Sequence, residues 1–249
     1  MSVSLSRIAF ALAAATILLA LTPSTAEGQF AFGAYLGKSS TLDCDVRLRQ
    51  PGGTDLTFHD VGWYDESWVN PKYYGFRLAY WKRSTPRWGL MLDFTHAKIY
   101  AELDATVRVT GDREDEPVDA REPISDTFSE LAMSHGHNTV TVNGVYRWLT
   151  RNRSGDARRL TPYIGFGIGI AVPHVEVQTD DSATEEYQLA GPTVQGLGGF
   201  DFRVGWGFSI FAEYRINYAN LSADLHGGGS LMLAPWTHHL SGGLTFSFR

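Results

Sequence analysis

From Leu160 to Val172 the chain alternates with a period of two. Leu160, Pro162, Ile164, Phe166, Ile168, Ile170 and Val172 fall on one side, and Thr161, Tyr163, Gly165, Gly167, Gly169 and Ala171 on the other. That is a β-strand with one greasy face and one small or polar face. In a soluble sandwich the greasy face forms the core and the other carries charge into water. In a membrane barrel the greasy face meets lipid, and small or polar residues line a narrow interior.

The pattern recurs along the chain. Phe30, Phe32, Ala34 and Leu36 share one face, as do Tyr74, Phe76, Leu78 and Tyr80, and then Trp88, Leu90, Leu92 and Phe94. Val140, Val142, Tyr146 and Trp148 follow. Phe200 and Phe202 end a Gly-rich segment, Phe208, Ile210, Tyr214 and Ile216 mark the next, and Leu240, Leu244, Phe246 and Phe248 the last. The opposite faces carry Arg77, Asp93, Asn143, Arg147, Asp201, Arg203, Glu213 and Arg215. Charges of both signs inside strands fit a lumen plugged by ion pairs, because an apolar core tolerates them only when paired.

The N-terminus sets the compartment. Arg7 precedes an apolar run from Ile8 to Leu21, and Pro23-Ser24-Thr25-Ala26 supplies the small residues of a signal-peptidase site. Cleavage is expected after Ala26. The run is short for a membrane span, and no run of 18 apolar residues follows it. The formal charge of −6 becomes −7 once Arg7 leaves with the signal, which argues against a nucleic-acid partner. Cys44 is the single cysteine, so no intramolecular disulfide holds the exported fold.

Connection lengths alternate too. Lys82–Arg87, Arg151–Arg159 and Arg203–Gly207 are short, whereas about Ser39–Lys72, Tyr100–His137, Pro173–Tyr187 and Asn220–His238 are long. Short periplasmic turns with long external loops belong to a transmembrane barrel. Ser241-Gly242-Gly243-Leu244-Thr245-Phe246-Ser247-Phe248 resembles the C-terminal signal read by the barrel-assembly machinery, although Arg249 follows it. The expectation is a signal peptide, 1–26, and an all-β outer-membrane barrel, 27–249: antiparallel, of about eight strands, with its long loops facing the cell exterior.

All eight histidines, His59, His96, His135, His137, His174, His226, His238 and His239, lie in or next to the long connections. Any one of them is unremarkable at a membrane surface; their concentration at one end is the signal. Strand parity points His135, His137 and His239 inward, His238 outward, and gives His96 the lipid-facing side of Phe94. After Pro173 parity no longer places His174 and Glu176. His135, His137 and His239 with a carboxylate from Glu130, Glu176 or Asp60 would suit a divalent metal. Ser134 with His135 or His137 and an acid would instead suit a hydrolase. In the first long connection Asp43, Asp45, Arg47 and Arg49 alternate with Cys44, Val46 and Leu48, which reads as strand 1 running on beyond the membrane. Phe58-His59-Asp60, Trp63, Tyr64 and Trp68 follow. Arginines beside aromatics suit a glycolipid headgroup, since guanidinium pairs with phosphate and carboxylate; the alternative is an interfacial aromatic belt with solvated charge.

Arg49-Gln50-Pro51-Gly52-Gly53-Thr54-Asp55-Leu56-Thr57-Phe58-His59-Asp60 resembles the lipid A oxidase family of rhizobial outer membranes. So do Leu92-Asp93-Phe94-Thr95-His96-Ala97-Lys98, Ser134-His135-Gly136-His137-Asn138, Pro173-His174-Val175-Glu176-Val177 and Trp236-Thr237-His238-His239-Leu240. The resemblance implies oxidation by dioxygen of the proximal glucosamine of 1-dephosphorylated lipid A to 2-aminogluconate, with hydrogen peroxide as co-product. Dioxygen reacts slowly with closed-shell alcohols, so a metal or organic redox cofactor is expected, and no GxGxxG strand–helix unit is present. The expected catalytic residues are His135, His137 and Glu176; the expected metal ligands are His135, His137 and His239. Arg47, Arg49, His59 and Asp60 are expected at the lipid A or lipopolysaccharide headgroup. Two other readings compete: a small-barrel acyl hydrolase or transferase of lipid A, and a barrel without catalysis.

Overall fold

The repeated alternation is realised as one closed surface. The computed structural model describes residues 28–151, 159–180 and 182–248, so the expected signal peptide lies outside the described residues. Eight antiparallel strands follow one another around a barrel: β1 (Gly28–Thr41), β2 (Tyr74–Lys82), β3 (Trp88–Ala101), β4 (Glu130–Arg147), β5 (Leu160–Ala171), β6 (Gly191–Gly205), β7 (Phe208–Ala219) and β8 (Trp236–Phe248). Each pairs with its sequence neighbours, and β1 pairs with β8 from Phe30↔Phe248 to Thr41↔Thr237, so no barrel edge stays open. β5 spans 12 residues, enough for a tilted strand to cross a bilayer.

The outer face is the apolar belt that the alternation demands. Ile164, Phe166, Ile168 and Ile170 are between 45% and 64% exposed, and Phe32, Phe76, Leu90, Ile210 and Leu244 face out with them. This is the surface a transmembrane barrel presents to lipid.

The lumen holds the charges. Arg215 is fully buried; its Nη1 lies 2.8 Å from Asp93 Oδ1 and its Nε 2.7 Å from Glu213 Oε1. Arg77 reaches Glu213 Oε2 at 3.3 Å, and the Tyr163 hydroxyl donates to the same oxygen at 2.8 Å. The Tyr35 hydroxyl donates to Asp93 Oδ1 at 2.9 Å. Every ion in this plug has a counter-ion, which is the condition under which buried charge is tolerated. Toward the short-turn end the plug gives way to a cavity of about 310 Å³ whose walls include Arg147, Asp201 and Arg203.

The long connections correct the sequence reading. β1 does not run on through Asp43–Arg49: it stops at Thr41, and Cys44–Gln50 begins a different sheet. That sheet has six strands in the order Leu221–Asp224, Ser230–Leu233, Cys44–Gln50, Thr54–Val61, Thr106–Arg113 and Glu116–Pro123. Three of the long connections therefore fold as hairpins that pair with one another. The fourth, His174–Gln178 with Ala183–Tyr187, pairs with the upper part of β4 and prolongs the barrel wall. Between that wall and the six-stranded sheet lies an apolar core with Val46, Leu48, Phe58, Val109, Phe128, Leu131, Met133, Val175 and Leu231, all nearly inaccessible. Alternation inside the connections supplies it: Val46 and Leu48 face the core, so Asp45, Arg47 and Arg49 face away. A packed core explains how connections this long hold fixed positions above the barrel.

Candidate functional site

The site begins with a register slip. Ala97 pairs with His137 and Ile99 with Met133, so β4 advances four residues while β3 advances two. The extra length is absorbed at Ser134-His135-Gly136, where Gly136 takes φ +115°, a region side chains rarely enter. A side chain at Gly136 would also collide with His96 and with Asn138. Leu131 and Met133 point into the upper core and His137 into the lumen, 2% exposed. His135 is turned the other way, with 56% of its side chain exposed. The expected inward pair His135/His137 is thus split: strand parity fails here because a bulge resets it.

Outward, His135 meets the fourth hairpin. Val175 and Val177 of that hairpin face the core, which puts His174 and Glu176 on the outer side of the wall, with Glu176 opposite Ala132. Nδ1 of His135 donates to Glu176 Oε1 at 2.8 Å, and Nδ1 of His174 donates to the same oxygen at 2.6 Å. The Ser134 hydroxyl donates there at 2.7 Å, and the Ser134 backbone N–H reaches Oε2 at 3.2 Å. Burial raises the Glu176 carboxyl pKa, but the hydrogen bonds from His135, Ser134 and His174 outweigh it and hold the group below the ordinary carboxylate range. Tyr187 packs edge-on against His174 at 4.6 Å, and its hydroxyl donates to the His135 carbonyl at 3.2 Å.

One ligand atom from each of His135, His174 and Glu176 lies within 4.8 Å of the other two. Two imidazole nitrogens and one carboxylate oxygen form the donor set of open, redox-capable metal sites, in which the remaining positions stay free for substrate and dioxygen. These three residues fit a divalent metal. His137 and His239 do not join them: both are buried in the lumen, 2% and 5% exposed, on the other side of the wall. A serine hydrolase fits less well. Ser134 Oγ approaches His135 at Nδ1, the nitrogen that faces Glu176, whereas a proton relay needs serine and acid on opposite ring nitrogens.

The height of the cluster follows from register. Leu36 pairs with Tyr74, Tyr74 with His96 and His96 with Asn138, and this row closes the apolar belt on that side of the barrel. Lys38, one outward step beyond Leu36, has 64% of its side chain exposed. On β3 the outward positions past His96 are Lys98 and Tyr100. The Lys98 ammonium lies 3.3 Å from Glu66 Oε2. Burial pushes the Tyr100 phenol up to about 12, with the Glu66 carboxylate adding to it, so Tyr100 remains an O–H donor at neutral pH. Tyr64 and Trp68 on one side, and Tyr187 and Leu189 on the other, leave large apolar surfaces exposed. The result is a polar niche on the outside of the barrel, just above the lipid belt and flanked by apolar side chains. Sequence reasoning left His174 unplaced and passed over Lys98, Tyr100 and Glu66. The available signal was parity: Lys98 continues the lipid-facing face of Phe94 and His96, where a lysine marks the end of the belt.

Arg47, Arg49, His59 and Asp60 lie elsewhere, on the six-stranded sheet. Arg47 makes a two-pronged contact with Asp55, 2.6 Å for each pair, and Arg49 reaches the same carboxylate at 3.1 Å. His59 bonds Asp45 and Thr110 at 3.2 and 2.8 Å, and Asp60 directs its backbone N–H to Asp45. These charges satisfy one another on the face turned away from the core, and they do not converge on the niche.

No family model matches the chain, and no curated protein matches it in sequence. Solved structures do resemble it in shape. The solid-state NMR structure of outer membrane protein AlkL in lipid bilayers is 17% identical, covers 92% of this chain and 93% of its own, and gives a TM-score of 0.45. Neisserial surface protein A is 11% identical over 90% of this chain and 98% of its own, with a TM-score of 0.43. The outer membrane protease OmpT from Escherichia coli is 11% identical over 92% and 99%, with a TM-score of 0.40.

Proposed function

We propose that this barrel is an outer-membrane enzyme that oxidises lipid A at the outer leaflet, its long connections facing the cell exterior. The observation that carries the reading is the position of His135, His174 and Glu176: a two-imidazole, one-carboxylate set opening sideways at the upper edge of the apolar belt. An amphiphile lying in the leaflet meets such a niche with its headgroup while its acyl chains stay along the belt. The sequence resemblance supplies the substrate and reaction: the proximal glucosamine of 1-dephosphorylated lipid A, carrying a free anomeric hydroxyl, with dioxygen as oxidant.

The balance is simple. The anomeric carbon loses its C–H bond and the hydroxyl its O–H bond, dioxygen takes the two electrons and two protons to become hydrogen peroxide, and the sugar becomes a lactone. Water opens the lactone to 2-aminogluconate. A bound divalent metal supplies the electronic route that dioxygen otherwise lacks. His135 and His174 would hold that metal, and the Glu176 carboxylate, which both imidazoles face, would complete the set. Ser134 fixes the carboxylate through its hydroxyl and its N–H. Tyr100 offers a phenolic donor to a sugar oxygen, and Tyr187 packs against the His174 imidazole and holds the His135 backbone carbonyl.

Mass spectrometry of lipid A from cells expressing the protein decides the matter. The expected change is a gain of about 16 mass units, one oxygen net, that requires air and vanishes in the Glu176→Gln variant while the barrel still folds. Loss or transfer of an acyl chain would support the hydrolase or transferase, and unaltered lipid A would support a barrel without catalysis.

A further inference from the structure

Lys98 stands two residues beyond His96 on the outward face of β3, yet only 2% of its side chain is exposed. An ammonium carries three donors. The contacts it makes among the described residues are Glu66 Oε2 at 3.3 Å and the face of Tyr100, whose centroid is 5.7 Å away. Glu66 is different in kind: 39% of its side chain is open to solvent, and it sits on the connection between β1 and β2 rather than on a barrel strand. Two and three residues further, Trp68 and Val69 are more than half exposed. A buried cation is thus held by a half-exposed carboxylate carried on a connection. Burial makes an anion obligatory for Lys98, but nothing in the geometry requires that anion to be Glu66.

The surroundings tie this cation to the niche. Lys98 lies between the pairs Ala97↔His137 and Ile99↔Met133, opposite the Ser134-His135-Gly136 bulge. Ser134 in turn bonds Glu176. The cation and the carboxylate of the candidate metal set thus flank the same bulged stretch of β4 from its two sides.

We propose that Lys98 is the anion subsite of the niche. It receives an acidic substituent of the glycolipid headgroup, a phosphate or a carboxylate, and Glu66 is the anion that the substituent replaces. This rests on the glycolipid reading of the niche. Lys98 acts as a positioning residue: it holds the headgroup by its charge and leaves the reacting carbon to the His135/His174/Glu176 set.

The test is equilibrium binding to the full-length barrel in detergent micelles. Three probes suffice: a lipid A with a single phosphate on the distal sugar, the same lipid with that phosphate removed, and the same lipid bearing a uronic acid in its place. Lys98→Gln is expected to weaken the two acidic lipids about tenfold and leave the neutral one unchanged. Lys98→Arg retains the preference, and Glu66→Gln tightens acidic lipids by removing the competing charge. The two acidic probes report whether phosphate or carboxylate fits better. The subsite is overturned if wild-type protein binds acidic and neutral lipids alike, or if Lys98→Gln weakens all three equally. A wild type that selects acidic lipids through Lys98 but oxidises none of them would overturn the oxidase reading alone.

Discussion

His135 and His137 are separated by one glycine and have opposite fates, and the fate of each sets what its removal does. His135→Ala, His174→Ala and Glu176→Gln each delete one donor of the open set. Purified variants should retain less than about 1% of wild-type metal affinity, read as metal-to-protein ratio by elemental mass spectrometry after dialysis. His137→Ala should leave that ratio unchanged, because its ring lies on the lumen side of the wall. If His137→Ala empties the protein and His174→Ala does not, the assignment of ligands is wrong. Glu176 also carries a signature in pH. Its folded pKa is depressed, so the stability it contributes is complete above the ordinary carboxylate value of about 4.3 and is lost as pH falls through the lower folded value. Hydrogen exchange across residues 174–187 should accelerate in that acid window in the wild type. The window should disappear in Glu176→Gln, whose side chain does not titrate there.

The element that builds the site is a bulge in one strand, and it explains what the sequence could reveal. Alternation displayed the eight barrel strands, the short turns and the inward charges, because each depends on period two over many residues. It could not place His135, because a two-residue slip in β4 is invisible to a pattern that assumes an unbroken period, and Gly136 alone does not announce a positive φ. The second sheet stayed hidden for another reason. Its hairpins join one another only across connections far apart in the chain, as Ser230–Leu233 does with Cys44–Gln50, and pairing at that range leaves no local trace. Gly136→Ala tests the bulge directly. It forces a side chain into φ +115° and against His96, so the barrel should assemble with about 1–3 kcal/mol less stability and with its metal content reduced. Urea titration of the folded electrophoretic band, with metal analysis on the same sample, measures both. Wild-type values in Gly136→Ala would mean that the bulge does not position His135.

At the scale of the whole molecule, the lumen is a strut. Arg215 neutralises Asp93 and shares Glu213 with Arg77, so Arg215→Met strands the buried Asp93 carboxylate and should cost about 3–5 kcal/mol in barrel unfolding, while substituting an exposed pair such as Arg108 and Asp119 should cost little. With the plug intact, planar bilayers containing the protein should show no steady conductance. Work is therefore displaced from the interior to the outer wall, where the niche opens sideways above Leu36, Tyr74 and His96. A site that opens onto the leaflet meets its reactant by diffusion in two dimensions. Its rate should then follow the mole fraction of lipid A among the surrounding amphiphiles, with bulk concentration irrelevant: adding inert detergent at constant lipid A should slow turnover in proportion, and concentrating the same mixed micelles should leave it unchanged.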